Sequence, residues 1–543
     1  MNADLLARAR TWADDDPHEG DRAEIEALLA AGDQDELRRR FTGPLTFGTA
    51  GLRGPLRAGP AGMNAAVVIR AAAGLAAHLH EERLDGGTVV VGFDARRRSE
   101  EFAHASAAVL TAAGFDVRVL PRPLPTPVLA FAVRHLAAVA GVMVTASHNP
   151  PDDNGYKVFL DEGAQLVPPA DRRIEAAIAA VGPAREVPRA DGWTTLGEDV
   201  LTDYVTAVVR ALDPERVPAD ARAALRVAYT AMHGVGASTT RLAFAAAGFA
   251  EPVGVPEQDA PDPDFPTVAF PNPEEPGAVD LLVAVAGRTG ADLAIAQDPD
   301  ADRCSVVCDG RRLTGDEVGA LLADWLLRRG VRGTYAASLV SGSLLHALTA
   351  AHGVRFAETP TGFKWIVRAG TPEAPLVYGY EEALGYAVAP DVVRDKDGIS
   401  ASLAVGLLAA ELKAAGRTLL DRLDELAEEH GLFATGQLSV RVEDLTLIAD
   451  AMARLRAAPP TMLLGRPVEF ADLLDGEPAV DAVRLLGEGV RVVVRPSGTE
   501  PKLKAYLETV VPVHDDAGLI AARGRGEDEL DQLRAEMSAA LGL

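Results

Sequence analysis

The chain has 543 residues, 48% apolar and 24% charged, with a formal net charge of −26, which describes a folded protein of several domains and excludes a disordered chain. That acidity argues against nucleic acid or an anionic membrane surface as a partner, so a phosphate-bearing ligand must be met by local cations, backbone N–H groups or a metal. No apolar run approaches the ~20 residues of a bilayer span, and the opening M-N-A-D-L-L-A-R-A-R lacks a signal core.

The predicted elements alternate between strand and helix from the start. Residues 88–94 (T-V-V-V-G-F-D) read as a strand, and residues 99–113 as a helix with Ser99 at its N-cap and Gly114 as its stop. Residues 116–120 and 140–145 read as further strands, the pattern of a mostly parallel sheet covered by helices. It recurs with strands at 224–231, 292–297 and 304–308, and again at 335–340, 354–358 and 376–380. Cys304 and Cys308 are the two cysteines. On one strand face they would lie about 13 Å apart, too far for a disulfide, which fits buried thiols in a reducing, cytoplasmic setting. The last part differs, with strands at 438–442, 489–494 and 503–508 and helices at 445–458 and 527–541. Residues 181–197 and 253–276 are loops or linkers by composition. The expected fold class is α/β: three similar mixed-sheet α/β domains in series plus a smaller C-terminal α+β domain, around a central cleft. The boundaries fall at 1–200, 201–308, 309–430 and 431–543.

Four polar clusters interrupt this pattern. In G-V-M-V-T-A-S-H-N-P-P, at 141–151, an apolar run ends in Ser147, His148 and Asn149, and two prolines stiffen the corner. A lone Ser in such a turn more often satisfies local backbone groups. It is not an esterase nucleophile, since G-x-S-x-G is absent here. In D-P-D-A-D-R, Asp298, Asp300 and Asp302 follow a strand at alternate positions. Carboxylates so crowded repel one another unless a cation neutralises them, and hard oxygen ligands suit Mg²⁺. An EF-hand is excluded by Arg303 at the sixth loop position and Asp309 at the twelfth. A phosphatase with an Asp nucleophile after a strand shares D-x-D but lacks convincing partner motifs here.

The third cluster is G-Y-E-E-A-L-G at 379–385, followed by R-D-K-D-G at 394–398. Paired acids at a strand end accept hydrogen bonds from sugar hydroxyls, and Lys396 suits proton transfer or phosphate anchoring. The fourth is R-P-S-G-T-E-P-K-L-K at 495–504: S-G-T alone fits any tight turn, but hydroxyls and backbone N–H groups flanked by Arg495 and Lys504 favour a phosphate cradle.

In that order, the four clusters resemble the phosphoserine, Mg²⁺, sugar and phosphate loops of the α-D-phosphohexomutase superfamily, the phosphoglucomutases and phosphomannomutases. F-G-T-A-G-L-R-G at 47–54, G-F-D-A-R at 92–96 and T-P-T-G-F-K at 359–364 agree with it. Many phosphoglucomutases read G-E-E-S-G in the sugar loop. Here Ala383 replaces the Ser and Leu384 is inserted, which is closer to the phosphoglucomutase-2/phosphopentomutase branch.

The resemblance implies a phosphosugar mutase that interconverts sugar 1-phosphate and 6-phosphate, of glucose with mannose as a further substrate, through a phosphoserine and a bisphosphorylated sugar. The alternatives it leaves are a phosphopentomutase acting on ribose or deoxyribose 1- and 5-phosphates, and a phosphotransferase that forms sugar bisphosphates. It implies Ser147 as phosphoryl carrier, with Asp298, Asp300, Asp302 and Ser147 as metal ligands. His148, Lys157, Arg303 and Lys396 become catalytic candidates. Arg53, Thr361, Gly362, Glu381, Ala383, Arg495, Ser497, Gly498, Thr499 and Lys504 become substrate-binding candidates. The implied cofactors are Mg²⁺ and glucose 1,6-bisphosphate, or the matching sugar bisphosphate, as activator. The expected partners are small phosphosugars, with no nucleic acid and no membrane, for a cytoplasmic monomer or homodimer.

Overall fold

The computed structural model describes residues 3–48, 51–160, 162–442, 446–476, 479–497, 502–513 and 516–542. Two compact units make up the chain: Met1–Arg312 with Gly385–Glu411, and Leu313–Leu384 with Leu412–Leu543.

The first unit opens with three helices, Ala3–Asp15, Glu19–Ala31 and Gln34–Arg40, closed around Leu5, Ala9, Ile25, Leu37 and Phe41. Seven strands follow: β1 (Leu52–Pro55), β2 (Thr88–Phe93), β3 (Asp116–Val119), β4 (Ala140–Val144), β5 (Asp153–Leu160), β6 (Ala164–Gln165) and β7 (Thr194–Thr195). They form one mixed sheet in the order β1-β5-β4-β2-β3-β7, with β6 on β5. β4, β2 and β3 are parallel, as strands joined by helical crossovers must be. β2 and β4 are Val-rich and buried on both faces, the pattern of a sheet covered on both sides, while β3, nearer the edge, alternates buried Val117 and Val119 with Asp116 and Arg118. β5 runs antiparallel to both β4 and β1.

The helix after β2 is Ser99–Ala112, and it differs from the expectation at its start. Arg98, at φ 64°, is the cap residue, and Ser99 is the first helical residue, its hydroxyl donating to Asp94 Oδ1 at 2.6 Å.

The second sheet of this unit has β8 (Val227–Thr230), β9 (Val253–Gly254), β10 (Leu293–Ala296), β11 (Ser305–Cys308) and β12 (Arg311–Arg312), in the order β12-β11-β10-β8-β9. The run expected as a strand from 224 begins at Val227, because Ala219–Ala224 closes a helix. The segment Gly385–Glu411 returns to this unit with the start of the helix Gly398–Ala414. Gly398 N donates to Ala301 O, and Gln297 Nε2 donates to Gly398 O.

The second unit carries β13 (Thr334–Ser338), β14 (Arg355–Thr359) and β15 (Leu376–Glu381), parallel in the order β14-β13-β15. Its other sheet is antiparallel: β16 (Leu432–Arg441), β17 (Met462–Leu463), β18 (Arg466–Asp472), β19 (Val483–Gly487), β20 (Val490–Pro496) and β21 (Lys502–Val511). The order is β16-β21-β20-β19-β18-β17. The helices Thr446–Ala457 and Asp516–Leu541 cover one face of it. β16 starts six residues before the predicted strand, and the closing helix eleven before its predicted start. Among the described residues, no single helix is long and apolar enough to cross a membrane.

Candidate active site

In the first unit, the ends of β4, β5 and β10 converge. Ser147 leaves β4 at φ 53°, in the left-handed region, and is almost fully buried. Its corner is held from behind. Arg96 donates from Nη2 to Ser147 O at 2.6 Å and to Asn149 O at 2.7 Å, and from Nη1 to Pro150 O at 2.8 Å. Ser147 N donates to Thr145 Oγ1 at 2.9 Å, and Thr145 Oγ1 in turn donates to Asp94 Oδ2 at 2.6 Å. A Cβ on Gly155 would lie 2.5 Å from Thr145 O, so only glycine lets β5 pass this close.

The acidic loop that follows β10 reaches the same point. Ser147 Oγ donates to Asp298 Oδ2 at 2.9 Å and lies 3.1 Å from His148 Nδ1. Lys157, wholly buried on β5, donates to Asp300 Oδ2 at 2.7 Å and to Asp302 Oδ2 at 3.0 Å. Lys396, from the returning segment, lies 3.1 Å from Asp302 Oδ2. Arg303 N donates to Asp298 Oδ1 at 3.1 Å, and its guanidinium pairs with Glu274 at 3.1 Å, from the long loop. Thr126 Oγ1 donates to Asp300 Oδ2 at 2.6 Å. Arg53, on β1, donates to Asn149 Oδ1 at 3.3 Å.

The charges are set by this crowding. Burial, with Asp302 and Asp300 alongside, pushes the Asp298 carboxyl well above the usual carboxylate range. Against burial, the Lys157 ammonium and the Thr126 hydroxyl hold Asp300 low. Asp302 is held low too, by Lys157, Lys396 and Arg303 against the same burial. Burial and the charges of Arg303 and Arg53 push His148 well below its ordinary value, so its imidazole is neutral.

This donor set suits a divalent cation. Asp298, Asp300 and Asp302 each offer an oxygen, all within 4.8 Å of one another. Asp300 Oδ1 and Asp302 Oδ1 are buried with no hydrogen-bond partner among the described residues. Such orphaned acceptors cost about 1–3 kcal/mol each, more for charged groups, and coordination to a hard cation removes that cost. The two lysines occupy the opposite oxygens, Oδ2, and leave this side clear.

The remaining candidates lie in the second unit. Glu381 ends β15 and is buried, and Ala383 follows it, half-buried, before Leu384 at φ 64°. Gly362 takes φ 110° ahead of the short helix Phe363–Ile366. The hydroxyl of its neighbour Thr361 is buried and unpartnered among the described residues. Arg495 and Lys504 are direct partners across β20 and β21, and Ser497 N donates to Lys502 O at 2.8 Å. Gly498 and Thr499 lie outside the described residues. Arg96, Asp94, Thr145 and Thr126 were not among the sequence candidates. G-F-D-A-R carried the signal for the first two, since a strand ending in Asp and Arg places both beside the next strand's loop.

Comparison with known proteins places all of this in one family. Residues 44–184, 202–311, 314–430 and 438–516 match, in turn, the phosphoglucomutase/phosphomannomutase alpha/beta/alpha domains I, II and III and the C-terminal domain. A Haemophilus influenzae protein named as a probable phosphomannomutase is 42% identical, over 88% of this chain and 96% of its own. A Mus musculus phosphopentomutase is 33% identical, over 94% and 91%. The crystal structure of a Thermus thermophilus protein assigned as a phosphomannomutase superposes with a TM-score of 0.71 at 30% identity, covering 90% of this chain and 99% of that one.

Proposed function

The chain belongs to the phosphoglucomutase/phosphomannomutase family of intramolecular phosphotransferases, and from that premise we propose that it interconverts glucose 1-phosphate and glucose 6-phosphate, with mannose phosphates as further substrates. The observation that carries this reading is the buried Ser147 hydroxyl, 2.9 Å from Asp298 in a three-carboxylate loop with two lysines behind it.

In this mechanism Ser147 carries the phosphoryl group. A phosphoserine holds roughly −1.5 to −2 charges, which Lys157, Lys396 and Arg303 are placed to offset. In the first transfer, the P–O bond to Ser147 Oγ breaks as one forms to a sugar hydroxyl oxygen. Oγ keeps the electron pair and takes up a proton, and the sugar hydroxyl gives one up. The sugar is then a bisphosphate and the serine is bare. The bisphosphate turns over, and its other phosphoryl group returns to Oγ by the reverse bookkeeping of proton and electron pair. Between the two transfers the bare hydroxyl keeps its proton and donates it to Asp298 Oδ2, with His148 Nδ1 3.1 Å from Oγ and placed to relay the proton as each transfer begins and ends. Mg²⁺ held by Asp298, Asp300, Asp302 and a phosphate oxygen on Ser147 would supply charge neutralisation to the transferring group.

Arg53, Lys157, Arg303 and Lys396 complete the reacting end. Thr361, Gly362, Glu381 and Ala383 read the sugar, and Arg495, Ser497, Gly498, Thr499 and Lys504 grip the phosphate that is not reacting. We place the domain boundaries near 200, 308 and 430, and the protein in the cytoplasm with a sugar bisphosphate as activator.

A second reading, phosphopentomutase activity on ribose or deoxyribose phosphates, is favoured by Ala383. It removes the sugar-loop hydroxyl that many phosphoglucomutases carry, and relatives of this chain are named phosphopentomutase. Turnover of glucose 1-phosphate, mannose 1-phosphate and ribose 1-phosphate, with Mg²⁺ and catalytic glucose 1,6-bisphosphate, decides between them by kcat/KM. A hexose preference supports the first reading, and a ribose preference replaces it with the second.

A further inference from the structure

β20 and β21 form the hairpin that carries the proposed phosphate grip at its far end. Across it, Arg491 pairs with Glu508, Val493 with Tyr506 and Arg495 with Lys504. Alternate residues of a strand share a face, so these three pairs line one side. Val492, Val494, Leu503, Ala505 and Leu507 fill the core on the other. The shared side is seated, over two of its three pairs, on residues 338–343 (S-L-V-S-G-S), the loop that leaves β13.

The seating is specific. Arg491 donates from Nη1 to Ser341 O at 2.9 Å, from Nη2 to Leu339 O, and from Nη2 to Glu358 Oε2 at 3.1 Å. Glu508 is buried and accepts from both the Ser343 hydroxyl, at 2.5 Å, and the Ser343 N–H, at 2.6 Å. Between these, Val493 and Tyr506 pack against Leu339 and Val340. A Cβ at Gly342 would lie 3.1 Å from Glu508 Oε2 and 3.2 Å from Asp316 Cγ, so a side chain there would press on both carboxyl groups.

The same loop holds the sugar segment. Ser338 Oγ and Ser341 Oγ donate to Glu382 Oε2 at 3.1 and 3.4 Å, and Glu382 N donates to Ser341 Oγ at 3.1 Å. A Cβ at Gly315 would lie 1.9 Å from Glu382 O, so the sugar segment also rests directly on the helix Gly315–Arg328. Residues 338–343 therefore touch the sugar segment directly, through Glu382, and hold the two strands that carry the phosphate grip through Arg491, Val493, Tyr506 and Glu508. The grip at Arg495 and Lys504 projects about 13 Å along the strands beyond the Arg491–Glu508 pair.

We propose that residues 338–343 act as a gauge: through the positioning residues Ser343, Arg491 and Glu508, they fix the separation between the Glu381–Glu382 sugar segment and the Arg495–Lys504 phosphate grip, and so set which length of sugar phosphate is turned over. This rests on the mutase reading above. A pentose phosphate is shorter between hydroxyl and remote phosphate than a hexose phosphate, and a misplacement of about 1 Å costs up to about 10²-fold in rate. A rigid spacing between two grips therefore discriminates, and a loosened one discriminates less.

The test compares kcat and KM for glucose 1-phosphate and ribose 1-phosphate in wild type, Ser343→Ala, Glu508→Gln and Ser343→Thr, each with Mg²⁺ and the activating bisphosphate. Ser343→Ala is the mild variant, since Glu508 keeps the Ser343 N–H, and it decides the matter if Glu508→Gln does not fold. The ratio of kcat/KM between the two sugars should shrink about tenfold in Ser343→Ala and Glu508→Gln, through a raised KM for the better substrate. Ser343→Thr, which keeps the hydroxyl, should restore it. An unchanged ratio overturns the gauge while leaving the mutase reading in place, whether both sugars lose activity equally or neither does. A wild type that turns over neither sugar overturns both.

Discussion

Ser147 combines two demands that seldom meet in one residue: a left-handed backbone, which costs a side chain about 1–2 kcal/mol, and a buried hydroxyl, the one we propose as phosphoryl carrier. The cost is met by Arg96, whose guanidinium ties three carbonyls of the corner together. Ser147→Ala and Ser147→Gly should both lose essentially all turnover and keep the fold. The Gly variant should be the more stable by about 1 kcal/mol, since glycine takes the left-handed region freely; chemical denaturation of the pair measures it, and equal stabilities would deny the strain. The orphaned oxygens of Asp300 and Asp302 make a second prediction. Protein stripped of divalent ions should gain stability on adding Mg²⁺, by about 2.7 kcal/mol at a hundredfold excess over Kd. Asp300→Asn should remove most of that gain in a thermal melt. At this scale the sequence exposed the groups expected to touch substrate and metal, because serine, aspartate and lysine in tight runs have few structural uses. It hid the groups behind them. Thr126 is a single residue opening an ordinary helix, and Arg96, although within G-F-D-A-R, sits in a short bend; only the folded sheet brings them to Asp300 and Ser147.

Among the elements, β5 was the hardest to foresee. Two prolines, two aspartates, an asparagine and a glycine precede or open it, which locally reads as a turn. Pairing with β4 on one side and β1 on the other overrides that preference and carries Lys157 to the acidic loop. Gly155→Ala places a methyl group 2.5 Å from Thr145 O and 2.8 Å from Leu52 O. It should cost about 1–3 kcal/mol and lower kcat by displacing Lys157 and the Ser147 corner together; an unchanged kcat would show that β5 does not set their geometry. The closing helix begins early for a related reason. Its first turns carry glycines and charges that mask the apolar stripe, which is clear only from Leu530 onward. In the second unit, burial together with the Glu508 charge pushes Asp316 up to about 6 from an ordinary 3.8, against hydrogen bonds from Gly342 N and Tyr380. Folding therefore takes up a proton between those values. The stabilisation is complete below about 4 and lost as the pH rises through 6. Relative to Asp316→Asn, the wild type should lose stability between about pH 4 and pH 7 in thermal melts; parallel profiles would exclude Asp316 as the titrating group.

Across the whole chain, four motifs in order were enough to read the architecture, because each sits where a strand ends and the loop must carry function. The return of residues 385–411 to the first unit was not legible. Lys396 lies ninety-four residues from Asp302 in sequence, and no local pattern encodes their contact. A net charge of −26 with a site that gathers Lys157, Lys396, Arg303 and Arg53 concentrates the positive potential at the proposed phosphoryl-transfer site. The most direct test of the carrier role is mass spectrometry of the protein after incubation with glucose 1,6-bisphosphate and Mg²⁺, then with excess sugar 1-phosphate. The expected result is one phosphoryl group on the peptide containing Ser147, discharged when the sugar monophosphate is added and absent in Ser147→Ala. A phosphoryl group on another residue, or turnover with Ser147 never labelled, would contradict it.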